Sequence, residues 1–485
     1  MTTMRNSTCA HQTEPREAER RARAGRRWPG RGRALLLAVL SPLLLSACAT
    51  YHPRPLPTGP DLAAAPRLQV PARMVQVPGL KPHPFNPANG LDMTELVTLA
   101  VVNNPDLKAQ RLRAGVAGAE LFQAGLLPDP QLSPAFVHPT GGPPPLSNGY
   151  SLGLSQDLSA LVTRSAAQAG ARAHQKQINL DILWQEWQVA QRARQLFVRV
   201  RSQERLQRIL DTQRRLLEDR YRRDRKALHE GNLTLSVVSA DLVGLVDAQT
   251  RLRRLQRARN QAWHALDGLL GLQPGVEPKL TGSTDLTAFS KAAFDAAVSR
   301  LPQRRPDLLA LQYGYRSQEQ AVRKAILRQF PALSVGLTGG QDTSEVRSVG
   351  IGVTLSLPLF NRNRGHIAIA RATRALLRQT YQQRLDTAVN HAHELWRATR
   401  IMSKQLKTLQ GQLPVLERTT AAARRSFQQG NMSAGTYISL RSNLLAKRAE
   451  AVQLQASLEE TQAALETLLG MTIDTRHLSA SGGAT

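Results

Sequence analysis

Residues 349–357 read V-G-I-G-V-T-L-S-L, and this stretch decides how the rest of the chain can fold. Its apolar residues alternate strictly with glycine, threonine and serine, a period of two that predicts a strand with one apolar and one small, wettable face. Such a strand matches the roughly 9–11 residues that cross a bilayer at a tilt. A half-buried strand of a soluble sheet has the same pattern, but the remaining sequence is mostly of helical type and offers no large sheet to receive it.

Three further segments predict similar strands, at about 132–138, 149–156 and 333–338, so the strands come in two pairs. Four strands cannot close a barrel, and an open sheet edge cannot lie in lipid. Membrane strands of this kind therefore require an oligomer. We assign the lipid-facing side to the apolar members of two strands, which are Tyr150, Leu152, Leu154, Val349, Ile351, Val353 and Leu355.

The chain contains an internal duplication. Residues 104–107 read N-P-D-L and residues 305–308 read R-P-D-L; the tetrapeptides G-N-L-T (231–234) and G-N-M-S (430–433) recur in the same order. We predict a first repeat over 91–272 and a second over 303–475, joined by a linker or equatorial belt over 273–302. A disordered tail is expected at 476–485.

The sequence pattern of each repeat predicts, in this order, a helix, two strands, a long helix, a turn and a shorter helix. In the first repeat the helices are expected at about 91–127, 160–229 and 233–271. Seventy residues of helix span roughly 105 Å, which predicts a hollow cylinder of antiparallel helices with a small barrel above it. Their lengths suggest that helix 233–271 stacks end to end with helix 303–329, and helix 433–471 with helix 91–127.

The N-terminal region has the pattern of a lipoprotein signal. Residues 1–47 combine an Arg-rich segment with the apolar run 34–47, which is too short for a transmembrane helix and is typical of a secretory signal. The end of this run, L-S-A-C, resembles a bacterial lipobox. That resemblance implies cleavage before Cys48 and a covalent lipid on it, with no other cofactor, and Ala49 favours sorting to the outer membrane. Residues 48–90 are Pro-rich and predict an extended tether.

Composition and motifs argue against other classes. The net charge of +28 is compatible with a basic coiled-coil scaffold or nucleic-acid binder, but the charges are spread along helices without interleaved aromatic residues. No His, Cys, Asp and Glu cluster has metal-ligand spacing, and His391 and His393 point to different sides of a helix. No nucleophile–base set or phosphate-binding Gly loop is present, so an enzyme is the least supported class.

From the duplicated starts, the paired strands and the stretch L-P-L-F-N-R-N-R-G at 357–365, the chain resembles the TolC-type outer-membrane efflux proteins over residues 91–475. The last stretch is similar to the branch that serves heavy-metal cation pumps. The resemblance implies a mainly α fold in which three chains each give four strands to a twelve-stranded barrel, with the helices continuing into the periplasm. It also implies an exit duct of a tripartite efflux pump, which passively conducts small toxic compounds or metal cations from the periplasm to the exterior while docked on a periplasmic adaptor and an inner-membrane pump. A duct for type I protein secretion is the alternative.

The resemblance suggests two kinds of site. The far tips would dock on the adaptor, although helix capping alone would explain the same residues; they are Gly231, Asn232, Leu233, Thr234, Gly430, Asn431, Met432 and Ser433. Where family members carry acidic gate residues, this chain has Thr436, Tyr437 and Ser439, with Asp241 as a possible substitute. Arg362 and Arg364, after the last strand, could line the pore, meet anionic lipid or simply form surface charge.

Overall fold

The computed structural model describes residues 51–68, 85–142, 145–282 and 290–470. The predicted signal, Cys48 and the C-terminal tail lie outside these residues. The chain divides into two compact units, residues 1–60 and 61–485. In the first unit, the described residues 51–60 form neither helix nor strand. The following description concerns the second unit.

Helices dominate the second unit. In chain order the elements are α1 (Met93–Asn103), α2 (Pro105–Gly125), β1 (Gln131–Val137), β2 (Gly149–Asp157), α3 (Ser159–His229), α4 (Leu235–Leu270), α5 (Lys291–Ser299), α6 (Leu301–Arg304), α7 (Pro306–Leu327), β3 (Ala332–Gln341), β4 (Arg347–Ser356), α8 (Arg364–Gln428) and α9 (Ala434–Leu469). Among the described residues, no helix combines the length and apolar character needed to cross a membrane. The predicted fold class, mainly helical with a small strand part, is confirmed.

The four strands form one antiparallel sheet in the order β1-β2-β3-β4. Its register pairs Leu132 with Leu154, Leu154 with Leu337, and Leu337 with Ile351. Directly opposed residues lie on the same face of a sheet, so these pairs define a continuous apolar row. The period-two pattern that predicted the individual strands thus also aligns them, because a slip of one residue would mix the two faces.

The helices form a layer in which the two long helices, α3 and α8, organise the shorter ones. α3 packs along α2 and α4 and also along α7 and α9, whereas α8 packs along α7 and α9. The order across the layer is therefore α2 with α4, then α3, then α7 with α9, then α8. End-to-end stacking of short helices occurs, but the predicted partners are wrong: α4 continues into α2, and α9 continues into α7.

The sequence around Asn104 explains both this stacking and a second correction. The predicted single helix 91–127 is interrupted at Asn104, because Pro105 favours a helix start and the Asn104 side chain accepts from the Leu107 N–H at 3.0 Å. The Asn104 amide also donates to the carbonyl oxygen of Leu269 at 3.0 Å. One side chain thereby begins α2 and ties it to the end of α4.

In the second repeat, a different interaction fixes the start of the corresponding helix, α7. Arg305 replaces the asparagine and donates to Asp307 at 2.9 and 2.7 Å, with both side chains buried. The Arg305 guanidinium also lies 4.6 Å from the ring centroid of Trp184 on α3. A buried ion pair stacked on an aromatic ring fixes the start of α7 against the long helix.

The predicted belt segment packs on the helical layer near mid-height. Leu91 pairs with Leu280 and Ala63 with Leu272 in isolated β-bridges, so part of the Pro-rich tether is ordered against the belt. A buried cluster joins α1 and these bridges to α3 and α4. In the second repeat, Phe294 of α5 stacks on Trp396 of α8 with centroids 5.0 Å apart.

Candidate functional site

The sheet presents an apolar face that none of the described residues covers. All seven residues assigned to the lipid side are exposed, with Val349 at 81% and Ile351 at 80%. Their neighbours in register, including Leu132, Phe136 and Leu337, are exposed as well. An exposed apolar surface of this extent is a binding surface for lipid or for another apolar partner.

The opposite face of the sheet carries small residues. Ser133, Gly153, Thr338 and Gly350 share this face and follow one another across the four strands. Gly340 is required here, because an added Cβ would collide with the Tyr150 carbonyl oxygen and with Ser151. The two faces therefore differ in both polarity and bulk, as in strands that separate lipid from a water-filled interior.

The helical layer also has two unfinished edges. Exposed apolar residues at helical spacing mark the outer helices on one side, namely Leu112 and Val116 on α2 and Leu242 and Val246 on α4. The other outer helix, α8, carries a second exposed set, consisting of Ile369, Leu376, Ile401 and Val415. Because the two exposed apolar edges differ from each other, one edge of a chain can pack against the other edge of an identical chain. This favours head-to-tail association.

The hairpin turns at the far end of the layer are formed by the predicted tip residues. Gly231 and Gly430 have φ values of 75° and 78°, a left-handed conformation that favours glycine and ends α3 and α8. Ser433 accepts from the Thr436 N–H at 3.1 Å and caps α9. Thr234 makes no such bond at the start of α4. Six of the eight tip residues are exposed, while Leu233 and Met432 are partly buried.

The predicted gate residues do not act alike. Thr436 belongs to the cap, since its hydroxyl lies 2.9 Å from that of Ser433. Tyr437 is buried and stacks on Phe427 with centroids 5.4 Å apart. The third predicted gate residue of α9, Ser439, is exposed, and its hydroxyl accepts a hydrogen bond from Arg220 at 3.3 Å. Thr436 and Tyr437 are therefore structural residues of the hairpin in this conformation.

Arg220 of α3 connects the remaining candidates, and sequence reasoning missed it. Its guanidinium lies 2.7 Å from Asp241 of α4 and 3.4 Å from Asp224 of its own helix, and it donates to Ser439 of α9. One arginine thus links three helices just above the tips. No local sequence pattern indicates that Arg220 links three helices. Its partners on the other helices are distant in sequence, and its partner on α3 looks like an ordinary surface residue.

Asp241 is the perturbed group of this cluster. Burial, followed by the neighbouring Asp224 carboxylate, raises the pKa of Asp241 to about 6, although Arg220 opposes the shift. Its buried Oδ2 atom has no hydrogen-bond donor among the described residues. The protonated form of Asp241 is thus favoured at a higher pH than for an exposed aspartate, because burial penalises its charged form.

The substitution Asp241→Asn tests the raised pKa. The folded state holds the proton more tightly than the unfolded state, so stability is greater below pH 4 and is lost as the pH rises through about 6. We expect the variant, which mimics the protonated form, to be more stable than the natural chain at pH 7.5 by roughly 1–3 kcal/mol. Thermal unfolding at pH 7.5 and pH 5 should show this advantage shrinking at the lower pH.

Asp219→Asn is the matched control, because Asp219 lies on the same helix as Arg220 but is exposed. It should leave the pH dependence unchanged. An Asp241→Asn variant with the same pH dependence as the natural chain would show that Asp241 is ionised throughout.

The remaining candidates have simple environments. Arg362, between β4 and α8, and Arg364, the first residue of α8, are both exposed. His391 lies 3.0 Å from Glu394 on the same helix, and His393 packs edge-on against Phe294. Within the part of the chain that the structure describes, no three His, Cys, Asp or Glu side chains are arranged to hold a metal ion.

Comparison with known proteins supplies the class. Residues 297–471 match the family described as outer membrane efflux protein. The outer membrane protein OprJ of Pseudomonas aeruginosa is 26% identical over 210 residues, which cover 39% of this chain and 42% of that protein. The chain therefore aligns with less than half the length of this curated relative.

Solved structures match over most of the chain. CusC superposes with a TM-score of 0.65 at 19% identity, covering 84% of this chain and 99% of CusC. The Campylobacter jejuni CmeC outer membrane channel gives a TM-score of 0.66 at 16% identity, covering 86% and 98%. The chain thus shares the fold of CusC and CmeC. The match over residues 297–471 and these structural similarities agree with the resemblance to TolC-type outer-membrane efflux proteins that the sequence indicated.

Proposed function

We propose that this protein is the outer-membrane exit duct of a tripartite efflux pump. One observation carries the proposal: a four-stranded sheet with an exposed apolar face continues into a layer of helices about 105 Å long. The sheet is too small to close alone, and its apolar face fits lipid. Conduction through such a duct is passive, and the pump partner supplies the energy.

The same geometry supports a homotrimer. Three chains with four strands each give an even-numbered barrel of twelve strands, within the range of outer-membrane barrels. The two apolar edges of the helical layer would then meet, α2 and α4 of one chain against α8 of the next. Cyclic closure covers both edges at once, whereas an open arrangement leaves one exposed at each end.

The far tips would dock on the periplasmic adaptor. They lie where the hairpins α3–α4 and α8–α9 turn, and most of their side chains are exposed. Above them, the Arg220 cluster would restrain the three helices it links and so serve as the gate region. A lipid on Cys48 would add an anchor in the outer membrane, and the Pro-rich tether would connect that anchor to the belt.

Planar-bilayer recording with chemical cross-linking tests the proposed function. The purified mature chain should form cross-linked trimers and give discrete ion conductance after insertion into a lipid bilayer. Preparations that are heat-dissociated to monomers without cross-linking provide the background level. A monomeric chain without conductance would contradict the proposal.

A further inference from the structure

One face of the helical layer holds a basic groove. Its volume is about 1000 Å³, and it lies along α3 with walls from α4 and α9. The charged residues that line it are Arg192, Arg199, Arg251, Arg254 and Glu450. The groove is therefore strongly positive unless neighbouring groups neutralise it.

The belt identifies which face of the layer this is. Trp263 of α4 is buried in the cluster that includes the belt residue Leu280 and Leu272, the residue that immediately precedes the belt. Arg254 precedes Trp263 by nine residues, and at roughly 100° per residue this places the two on opposite sides of the helix. The groove and the belt thus lie on opposite faces of the layer.

Only one of these faces can line the duct of the proposed trimer. Twelve helices spaced roughly 8–10 Å apart form a ring about 35 Å across between helix axes, which leaves an interior about 25 Å wide once the helices themselves are subtracted. Three belts, each with its own helices, would fill such an interior. The belts must therefore lie outside, and the arginine groove faces the lumen.

The acidic residues near the groove are already paired. Glu450 lies 2.8 Å from Lys447, and Glu460 lies 2.6 Å from Arg199. By contrast, Arg192, Arg251 and Arg254 are exposed and have no carboxylate within 4.0 Å among the described residues. On α4, one further acidic residue lies beside the groove. This residue is Asp247, one helical turn before Arg251.

The level of the tips adds no strong acidic barrier. Thr436 and Ser439, at the start of α9 next to the second tip, are both neutral. Asp241 and Asp224 share the positive charge of Arg220. An anion that enters the duct therefore meets at most one net negative charge per chain in this cluster and then a wall on which the arginines outnumber the acids.

We infer that the duct is anion-selective and that its cargo consists of small molecules bearing carboxylate, phosphate or sulfate groups. This inference rests on the proposed function. Unpaired guanidinium groups attract these groups by charge and by paired N–H donors. A basic wall of this kind also raises the local concentration of anions along the path.

Reversal potentials in planar bilayers test this inference. A tenfold KCl gradient is applied across the bilayer. The reversal potential of the natural trimer should have the sign of the chloride equilibrium potential, with chloride a few-fold more permeant than potassium. The variant R192Q/R251Q/R254Q should lower this permeability ratio to about one or below. Because its three sites are exposed, trimer formation should not change. R192K/R251K/R254K should keep the preference for chloride.

The matched control is R205Q/R208Q/R424Q. These three arginines line a groove on the opposite face. Arg208 is nine residues from Arg199, and at roughly 100° per residue this places the two on opposite sides of α3. The control should keep the natural permeability ratio. A conducting trimer that prefers potassium, or a control that shifts the ratio as much as the lumen variant, would overturn the inference. Absence of any conductance would overturn the proposed function itself.

Discussion

The substitution Ile351→Arg is expected to abolish insertion of the trimer into the outer membrane, whereas Gly352→Arg, one residue away, is expected to be tolerated. Ile351 is 80% exposed at the centre of the apolar face, opposite Leu337. Arginine on the lipid face of a barrel costs about 2–4 kcal/mol near the bilayer midplane, and a trimer carries the change three times. Gly352 lies on the small-residue face, where an added Cβ meets nothing within 4 Å.

Membrane fractionation and electrophoresis of unheated samples measure this result. The natural chain and the Gly352→Arg variant should both appear as trimers in the outer-membrane fraction, and the Ile351→Arg variant should appear as monomer or be degraded. Both variants introduce the same side chain at the same depth, so only the face differs. The reverse outcome, with Ile351→Arg inserted and Gly352→Arg excluded, would show that the apolar face lies inside.

The strands were predictable because their signal is local and repeated. Alternation of apolar and small residues fixes both the strand and the face, and the register then follows from keeping all apolar residues on one side. The predicted starts and ends differ from β1 and β2 by no more than one residue. The long helix α3 was predictable for a similar reason, since its apolar seam continues without proline.

The division between α1 and α2 was also present in the sequence but was outweighed by periodicity. Asn104 followed by Pro105 is a typical helix start, yet the apolar pattern continues through it and suggested one helix. The stacking partners were not predictable, because helix lengths alone fit more than one arrangement. The contact that selects α2 for α4, between Asn104 and Leu269, joins residues 165 positions apart.

The gate region shows the limit of reasoning from sequence. Asp241 was a candidate on its position relative to the tip, and the structure adds the reason for its altered acidity, which is burial beside Asp224. Arg220 looks like one of many arginines on a basic helix. Its importance comes from the antiparallel packing of α3 with α4 and α9, which brings three separate helices to one guanidinium.

The two hairpin turns at the tips provide the second large effect. The double variant Leu233→Asp/Met432→Asp is expected to reduce pump-dependent efflux to the level of a strain that lacks this protein, while trimer formation and bilayer conductance persist. Leu233 and Met432 occupy equivalent places in the two turns and are partly exposed. Apolar side chains at exposed turns contribute most when a partner covers them, and two added carboxylates would oppose that contact.

The control Asn232→Asp/Asn431→Asp places the same charge in the same turns without removing an apolar side chain. We expect it to keep most of the efflux. Met432 also packs against the small cluster around Tyr437, so thermal unfolding of both double variants must be compared; a loss of a few degrees is expected from the altered packing. Efflux that persists in the Leu233→Asp/Met432→Asp variant would show that the adaptor does not engage these residues. Equal loss of efflux in both variants would instead show that docking depends on the charge of the turns, because the control retains the two apolar side chains.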